Sequence, residues 1–174
     1  MLVSLNQTMT LAASQEEAWS LLRDTKRRAG LIPGVEGIES EYGESSGTNG
    51  MVPQEKHVAN VVERVGPFRL NLKLAVTIVK AVEPFLIEAE LNGADAKSQN
   101  RLSGTLRAML VQDHPTETRL SVDASVEVMG KLAALGASPI RRRAKELFDQ
   151  FTERLQSQFS AAGAAEAAEG GSAA

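Results

Sequence analysis

The stretch Phe68–Val82 (FRLNLKLAVTIVKAV) decides the fold because its apolar and polar side chains alternate. Successive side chains of a β-strand point to opposite faces of the sheet. One face of this stretch holds Phe68, Leu70, Leu72, Leu74, Val76 and Ile78. The other face holds Arg69, Asn71, Lys73 and Thr77. The pattern therefore predicts a strand with one apolar and one solvated face.

The segments that follow repeat this alternation. It continues at Phe85–Leu91, Arg101–Gln112 and Thr118–Gly130. Asn92-Gly93 and His114-Pro115 separate these segments, and we interpret both dipeptides as turns. The pattern predicts neighbouring antiparallel strands that share one apolar face.

Strands are also expected before this stretch. Val52–Val65 and the weaker Val35–Tyr42 have strand character, and the composition of Gly43–Gly50 (GESSGTNG) predicts a turn between them. A further short strand is predicted at Leu2–Leu11.

Two short helical segments follow that first strand. Ser14 precedes Glu17 by three residues, which is the capping-box pattern at the start of a helix. Asp24–Ile32 forms a second short helix or turn, which Pro33-Gly34 ends.

The last element is a helix with a single apolar stripe. The stripe consists of Ile140, Ala144, Leu147, Phe148, Phe151, Leu155 and Phe159. Ser138 is a possible N-cap with Pro139 at the first helical position. Alternatively, the helix begins at Lys131 and kinks at Pro139, and we favour this single kinked helix.

These elements predict an α+β domain with a helix-grip fold. A curved antiparallel sheet of about seven strands would wrap around the long C-terminal helix, which is the only element large enough to cover it. The domain is expected to span residues 1–159. Residues 160–174 (SAAGAAEAAEGGSAA) contain no large apolar side chain, so we expect a disordered tail.

Composition narrows the function classes. The chain has 174 residues, no cysteine and a formal net charge of −3. It therefore offers neither a disulfide scaffold nor a cysteine nucleophile, and it lacks the basic field that nucleic acids require. No apolar run is long enough to span a membrane, and no signal peptide is evident. A cytoplasmic protein is expected.

The sequence contains no recognisable catalytic constellation. Its two histidines, His57 and His114, have no acidic or histidine partner on an identifiable shared face, so we interpret both as solvated or loop residues. Neither a nucleophile elbow nor a phosphate-binding glycine motif is present. We therefore predict no catalytic residue and no metal site.

The apolar face of the sheet is the predicted ligand site. Its alanines leave space that a close-packed core would fill, which favours a cavity for an apolar guest. The residues expected to bind the guest are Trp19, Leu22, Ile32, Leu72, Leu74, Val76, Ile87, Ala89, Leu106, Ala108, Val122, Ala124, Val126, Leu132, Leu135 and Ile140. The candidate lids are Gly43–Gly50, Leu31–Gly37 and Lys131–Pro139.

Arg141, Arg142 and Arg143, with Lys145, form the one basic cluster. Consecutive helical residues point in different directions, so a solvated helix face is the simpler interpretation. The alternative is contact with anionic lipid headgroups or an acidic partner.

Four motifs stand out along the chain, namely EEAWSLLRD at Glu16–Asp24, LIPGVEGIE at Leu31–Glu39, VVERVGPFRLNLKLAVTIVKAVEP at Val61–Pro84 and VMGKLAALGASPIRRRAKELFDQFTERL at Val128–Leu155. Together they resemble the CoxG family of carbon monoxide dehydrogenase subunits, which belongs to the START-like (SRPBCC), or polyketide-cyclase-like, superfamily. The last motif, with its Gly-x-Leu-Ala-x-Leu-Gly phrase, is the most specific.

The resemblance implies a non-enzymatic accessory protein. Members of the family are associated with molybdenum hydroxylases of the carbon monoxide dehydrogenase type, which they are thought to recruit to the membrane. The apolar cavity of the fold suits a quinone or a lipid-like guest, and no other cofactor is implied. The resemblance also implies a peripheral position on the inner membrane face, although the short polar tail is not expected to anchor the protein.

Two alternatives remain open. One is a polyketide cyclase or aromatase on the same fold, for which His57 and Tyr42 are the candidate polar residues in the cavity. The other is a structural adaptor with a filled core and no ligand.

Overall fold

Seven strands form one antiparallel sheet in the order β1-β7-β6-β5-β4-β3-β2. The computed structural model describes residues 1–47, 50–97 and 99–172, and the side chains of residues 1–43, 54–97 and 99–159. The strands are β1 (Leu2–Leu11), β2 (Val35–Gly47), β3 (Gly50–Val65), β4 (Phe68–Val82), β5 (Leu86–Asp95), β6 (Asn100–His114) and β7 (Glu117–Gly130). The first strand thus lies beside the last.

The helices are α1 (Gln15–Arg23), α2 (Thr25–Leu31) and α3 (Ala137–Ser172), with a 3-10 helix at Lys131–Leu135. The predicted capping box is confirmed, because the Ser14 hydroxyl accepts a hydrogen bond from the Glu17 amide and donates one to the Glu17 carboxylate. Helix α3 packs chiefly along β1. This arrangement is the predicted helix-grip fold.

The single kinked helix expected from Lys131 onward is wrong. Gly136 separates the 3-10 helix from α3, and its φ of 81° with ψ of 170° lies in a region that only glycine adopts readily. Helix α3 begins at Ala137, which is close to the other predicted start, with Ser138 as N-cap and Pro139 as the first helical residue.

Asn92-Gly93 is not a turn, because β5 continues to Asp95. Gly93 pairs with Leu74 on one side and Leu102 on the other. A Cβ atom at Gly93 would lie 3.2 Å from Leu102 and 3.3 Å from Leu74. Because Gly93 has no Cβ atom, the side chains of Leu74 and Leu102 can pack closely over it. The turn lies after Asp95, whose carboxylate accepts the Gln99 amide at 2.7 Å.

Most of the predicted Gly43–Gly50 turn is strand, since β2 reaches Gly47 and β3 starts at Gly50. The two residues between them lie outside the described residues. The pairing between β2 and β3 extends to Gly47 and Gly50, so the two strands form one long hairpin.

The backbone of α3 is helical through Ser172, where the sequence predicts disorder from Ser160 onward. Alanine and glutamate are strong helix formers, so a helix can continue there without a buried face. Among the side chains that the structure describes, Phe159 is the last core residue of α3. The domain boundary at residue 159 stays a prediction.

Two buried clusters form the core. The first lies under α1 and α2 and includes Leu11, Trp19, Ile87, Leu110 and Leu155. The second lies under the 3-10 helix, where Val3, Leu70, Val128 and Leu132 are buried together. The apolar inner face of the sheet extends between them.

Replacement of Gly136 by alanine tests the break before α3. We expect Gly136→Ala to lower the free energy of unfolding by about 1–3 kcal/mol, since the backbone conformation there excludes a Cβ atom. Gly30→Ala is the matched control: Gly30 lies in α2 with open space around its Cα, so alanine should stabilise the protein by about 0.5–1 kcal/mol. Urea unfolding measures both changes, and equal effects of the same sign would contradict this interpretation.

Candidate functional site

A band of half-buried apolar side chains lies on the inner face of the sheet, between the two clusters. Leu74, Leu91, Leu106 and Ala124 form it on four neighbouring strands, and Leu147 adds a half-buried side chain from the apolar stripe of α3. All five side chains are half-buried, and none belongs to either cluster. We call this band the inner groove.

Two glycines contribute no side chain to the inner face. Gly93 and Gly104 lie on the inner face, Gly104 being paired with Leu91 and Val126. A Cβ atom at Gly104 would collide with the Ser125 carbonyl, so β6 and β7 approach each other closely there. Glycine inside a strand commonly marks a site where another group comes close to the backbone.

The predicted ligand residues divide into four sets. Leu74, Leu106 and Ala124 line the inner groove, and six others are half-buried at its two ends, namely Val76, Ala108, Val122, Val126, Leu135 and Ile140. Six are buried in the clusters themselves, namely Trp19, Leu22, Ile87, Ala89, Leu72 and Leu132. Ile32 caps α2 and is 37% exposed. That these residues bind a guest stays a prediction.

Sequence reasoning missed four residues of the inner groove. Leu91 continues the alternation of Ile87 and Ala89, so the pattern already contained the signal for it. Leu147 belongs to the predicted stripe of the last helix. Gly93 and Gly104 offered no such signal, because a glycine has no side chain to contribute to an alternation.

A buried polar cluster borders the inner groove at β3, and His57 is its centre. His57 is 2% exposed, which makes its interpretation as a solvated or loop residue wrong. Register explains the burial: His57 and Glu55 lie on the inner face of β3, opposite Val76 and Ile78 of β4. His114, by contrast, is exposed at the end of β6.

Both ring nitrogens of His57 are engaged. Nε2 lies 2.6 Å from Glu55 Oε1, and Nδ1 lies 2.8 Å from Ser40 Oγ. Since a carboxylate only accepts hydrogen bonds, Nε2 donates to Glu55. The Tyr42 and His57 rings are nearly perpendicular, at 83°, with centroids 6.2 Å apart, although Tyr42 is 73% exposed.

Two arginines complete the polar cluster. Arg23 Nη2, at the end of α1, donates to Glu55 Oε2 at 2.7 Å. Burial raises the pKa of Glu55, but hydrogen bonds from Arg23 and His57 outweigh it and hold the pKa below its usual value. Arg28 Nη1 of α2 donates to the Leu22 carbonyl at 2.6 Å. Burial lowers the pKa of Arg28, against the attraction of Glu55.

A second ion pair joins α3 to β3. Arg143 donates to Glu63 Oε2 through Nη2 at 2.6 Å and through Nε at 2.9 Å, and it also donates to Glu146. These hydrogen bonds raise the pKa of Arg143. Arg141 donates to the Ser4 carbonyl at 3.1 Å. The basic run is therefore partly committed to contacts within the protein.

The outer face of the sheet carries a different concavity of about 1050 Å³. Charged side chains from the central strands line it, among them Lys56, Lys73 and Arg101, and so do the apolar side chains of Val58 and Met129. Its lining is therefore mixed, unlike that of the inner groove.

Metal and membrane signatures were sought in the described parts of the chain. No three histidine, aspartate or glutamate side chains there come together to hold a metal ion. No helix in that part is both long and apolar enough to cross a bilayer.

Comparison with known proteins identifies related chains. The family model for CoxG, described as a subunit of carbon monoxide dehydrogenase, matches residues 8–160. No curated protein sequence matches the chain.

Three solved structures illustrate the likeness of the fold. A conserved protein from Geobacillus kaustophilus has a TM-score of 0.76 at 21% identity, with 91% of this chain and 95% of that chain covered. A START superfamily protein from Mycobacterium smegmatis has a TM-score of 0.65 at 18% identity, with 89% and 95% covered. The di-domain ARO/CYC protein StfQ of the steffimycin biosynthetic pathway has a TM-score of 0.61 at 11% identity, with 90% and 50% covered. At such identities the likeness shows the fold alone.

Removal of the Glu55 charge tests the polar cluster. The pKa of Glu55 is lowered by folding, so its contribution to stability is present above its unfolded-state pKa and is lost as the pH falls through the folded-state pKa. Glu55→Gln should lower the free energy of unfolding at neutral pH by about 1–3 kcal/mol, because Arg23 and His57 lose a charged partner. The difference from wild type should shrink as the pH falls below about 4.

Urea unfolding from pH 7 to acid measures this dependence. Glu90→Gln is the control, since Glu90 is exposed and its replacement should leave the curve near that of wild type. A difference between Glu55→Gln and wild type that stays constant with pH would contradict the role given to Glu55.

Proposed function

Because the chain belongs to the CoxG family of carbon monoxide dehydrogenase subunits, we propose that it is an accessory protein that binds an apolar molecule and does no chemistry on it. The START-like fold supports a ligand-binding role of this general kind. The inner groove is the observation that carries the proposal, since its half-buried apolar side chains lie between two packed clusters.

The proposed guest is a quinone or a lipid-like molecule. Leu74, Leu91, Leu106 and Ala124 present only hydrocarbon, which rewards burial of an apolar chain by about 25 cal/mol for each Å² removed from water. The mechanism would be capture, shielding from water and release to a partner. The Leu31–Gly37 and Lys131–Pro139 segments are the proposed lids, with glycines at positive φ in both.

The proposed partner is a molybdenum hydroxylase of the carbon monoxide dehydrogenase type, which the family description supports. We propose that the two meet at the cytoplasmic face of the membrane. Because Arg141 and Arg143 make internal contacts, the cationic surface would consist of exposed Arg142 with Arg64 and Arg69 beside it. Each exposed basic side chain near an anionic surface contributes about 1 kcal/mol.

A second candidate function is proton transfer of the cyclase or aromatase type. The Ser40–His57–Glu55 hydrogen-bond chain favours it, because a histidine oriented by a carboxylate is a common general base. Against it, His57 is almost fully buried and both its ring nitrogens have partners. Incubation with a poly-β-ketone thioester, followed by mass spectrometry, tests this candidate. Cyclised product that disappears in His57→Asn, with the melting temperature unchanged, would replace the carrier proposal.

Ala124→Trp tests the carrier proposal directly. The indole would fill the inner groove, so the variant should lose the bound molecule while wild type retains it. Thr105→Trp is the control, because Thr105 is exposed on the outer face of the neighbouring strand. Organic extraction of each purified protein, followed by mass spectrometry and ultraviolet absorbance, should give one apolar molecule per chain for wild type and the control.

A wild-type protein that is empty and takes up neither quinone nor lipid would refute the carrier proposal. The same variants separate a carrier from an adaptor. If Ala124→Trp still brings the hydroxylase to the membrane as wild type does, the inner groove is not used and the protein acts as an adaptor.

A further inference from the structure

The polar cluster has more hydrogen-bond donors than it can satisfy. Both carboxylate oxygens of Glu55 are used, Oε2 by Arg23 and Oε1 by His57. His57 in turn is engaged by Ser40. Arg23 Nη1 is shielded from solvent and has no hydrogen-bond partner among the residues that the structure describes. A buried donor without a partner destabilises the protein, and more so when it is charged.

The charges are also unbalanced. Arg23 and Arg28 both lie near Glu55, and the charge of Arg23 contributes to lowering the pKa of Arg28. Asp24 is exposed, caps α2 by accepting the Arg27 amide, and makes the smallest of the charge contributions to the Arg28 pKa, so it offsets little of the excess inside the cluster. Two guanidinium groups therefore share one carboxylate in a half-buried environment, which leaves a need for an additional acceptor.

The cluster is continuous with the inner groove. His57 and Glu55 alternate with Ala59 along the inner face of β3, and Ala59 pairs with Leu74 of the groove. The cross-strand partner of His57 is Val76, which pairs with Leu91 of the groove. A guest that lies along the groove thus ends at the polar cluster.

We propose that the guest is amphipathic and that Arg23 Nη1 binds an oxygen acceptor of its head group, a carboxylate best of all. This inference rests on the proposed function, because it assumes that the inner groove holds the apolar part of the guest. A carboxylate supplies both the acceptor that Nη1 lacks and the negative charge that balances the second arginine. Hydrogen bonds between charged groups are about twice as strong as neutral ones.

Displacement of the neutral dye Nile red from the full chain tests the inference. The competitors are dodecanoate, dodecanol and dodecylamine at neutral pH, which share one alkyl chain and differ in the head group. Dodecanoate should displace the dye at a concentration about ten-fold lower than dodecylamine, with dodecanol between them.

Arg23→Lys should bring dodecanoate and dodecylamine to within about two-fold of each other, because an ammonium group that pairs with Glu55 has no second planar N–H to offer. Arg27→Lys is the matched control: Arg27 is exposed in α2, and its replacement should keep the ten-fold preference. Equal effects of the two substitutions would overturn the role of Arg23.

The outcomes separate this inference from the function on which it rests. Equal displacement by all three competitors in wild type would overturn head-group recognition, with a water molecule then serving Arg23, and would leave the apolar groove supported. This comparison holds even where Arg23→Lys fails to fold. Failure of Nile red and of all three competitors to bind would instead refute the proposed function.

Discussion

The width of the sheet is the constraint on which the rest of the structure depends. Strands lie about 4.8 Å apart, so the inner face of seven strands is almost 30 Å wide, whereas a helix with its side chains is only about 10 Å across. One helix packed along β1 therefore leaves much of the apolar face to other elements. Helices α1 and α2 cover one part, the 3-10 helix covers another, and the band between them stays half-buried.

The same geometry explains how polar side chains come to lie inside. The register of β3 directs Glu55, His57 and Glu63 to the inner face, where each needs a partner. Arg23 reaches Glu55 from α1, and Arg143 reaches Glu63 from α3. The ion pairs thus join the covering helices to the strand at two separate points. The apolar stretch of β3 between them, Ala59 and Val61, faces the groove.

Local patterns predicted most of the fold. The alternation of Phe68–Val82 gave the bounds of β4, and the capping box gave the start of α1. The turn predicted at Asn92-Gly93 is absent because a glycine can also occur inside a strand, where here it makes room for the side chains of Leu74 and Leu102. The prediction of one kinked helix from Lys131 failed for a related reason: only the backbone conformation shows that a glycine is required at position 136.

The site was predictable only in its apolar part. Alternation indicated Leu74, Leu106 and Ala124, whose orientation follows from strand periodicity alone. The burial of His57 depends on the pairing of β3 with β4 and on the helices above it, and a single strand of uncertain register contains no such information. Arg23 was missed because its partner Glu55 lies 32 residues away along the chain.

The pairing of β1 with β7 has a consequence for how the protein is made. Leu11 pairs with Thr118 and Leu2 with Glu127, so the first strand synthesised finds its neighbour only after six others have been produced. Contacts between such distant parts of a chain slow folding, because the loop that joins them must first be closed. During synthesis, therefore, the β2–β7 meander can assemble strand by strand, while β1 waits as an unpaired segment. The docking of β1, followed by that of α3, covers the apolar face of the meander and completes the domain. Until then the exposed apolar face and the unpaired edge of β7 make the nascent protein prone to aggregation.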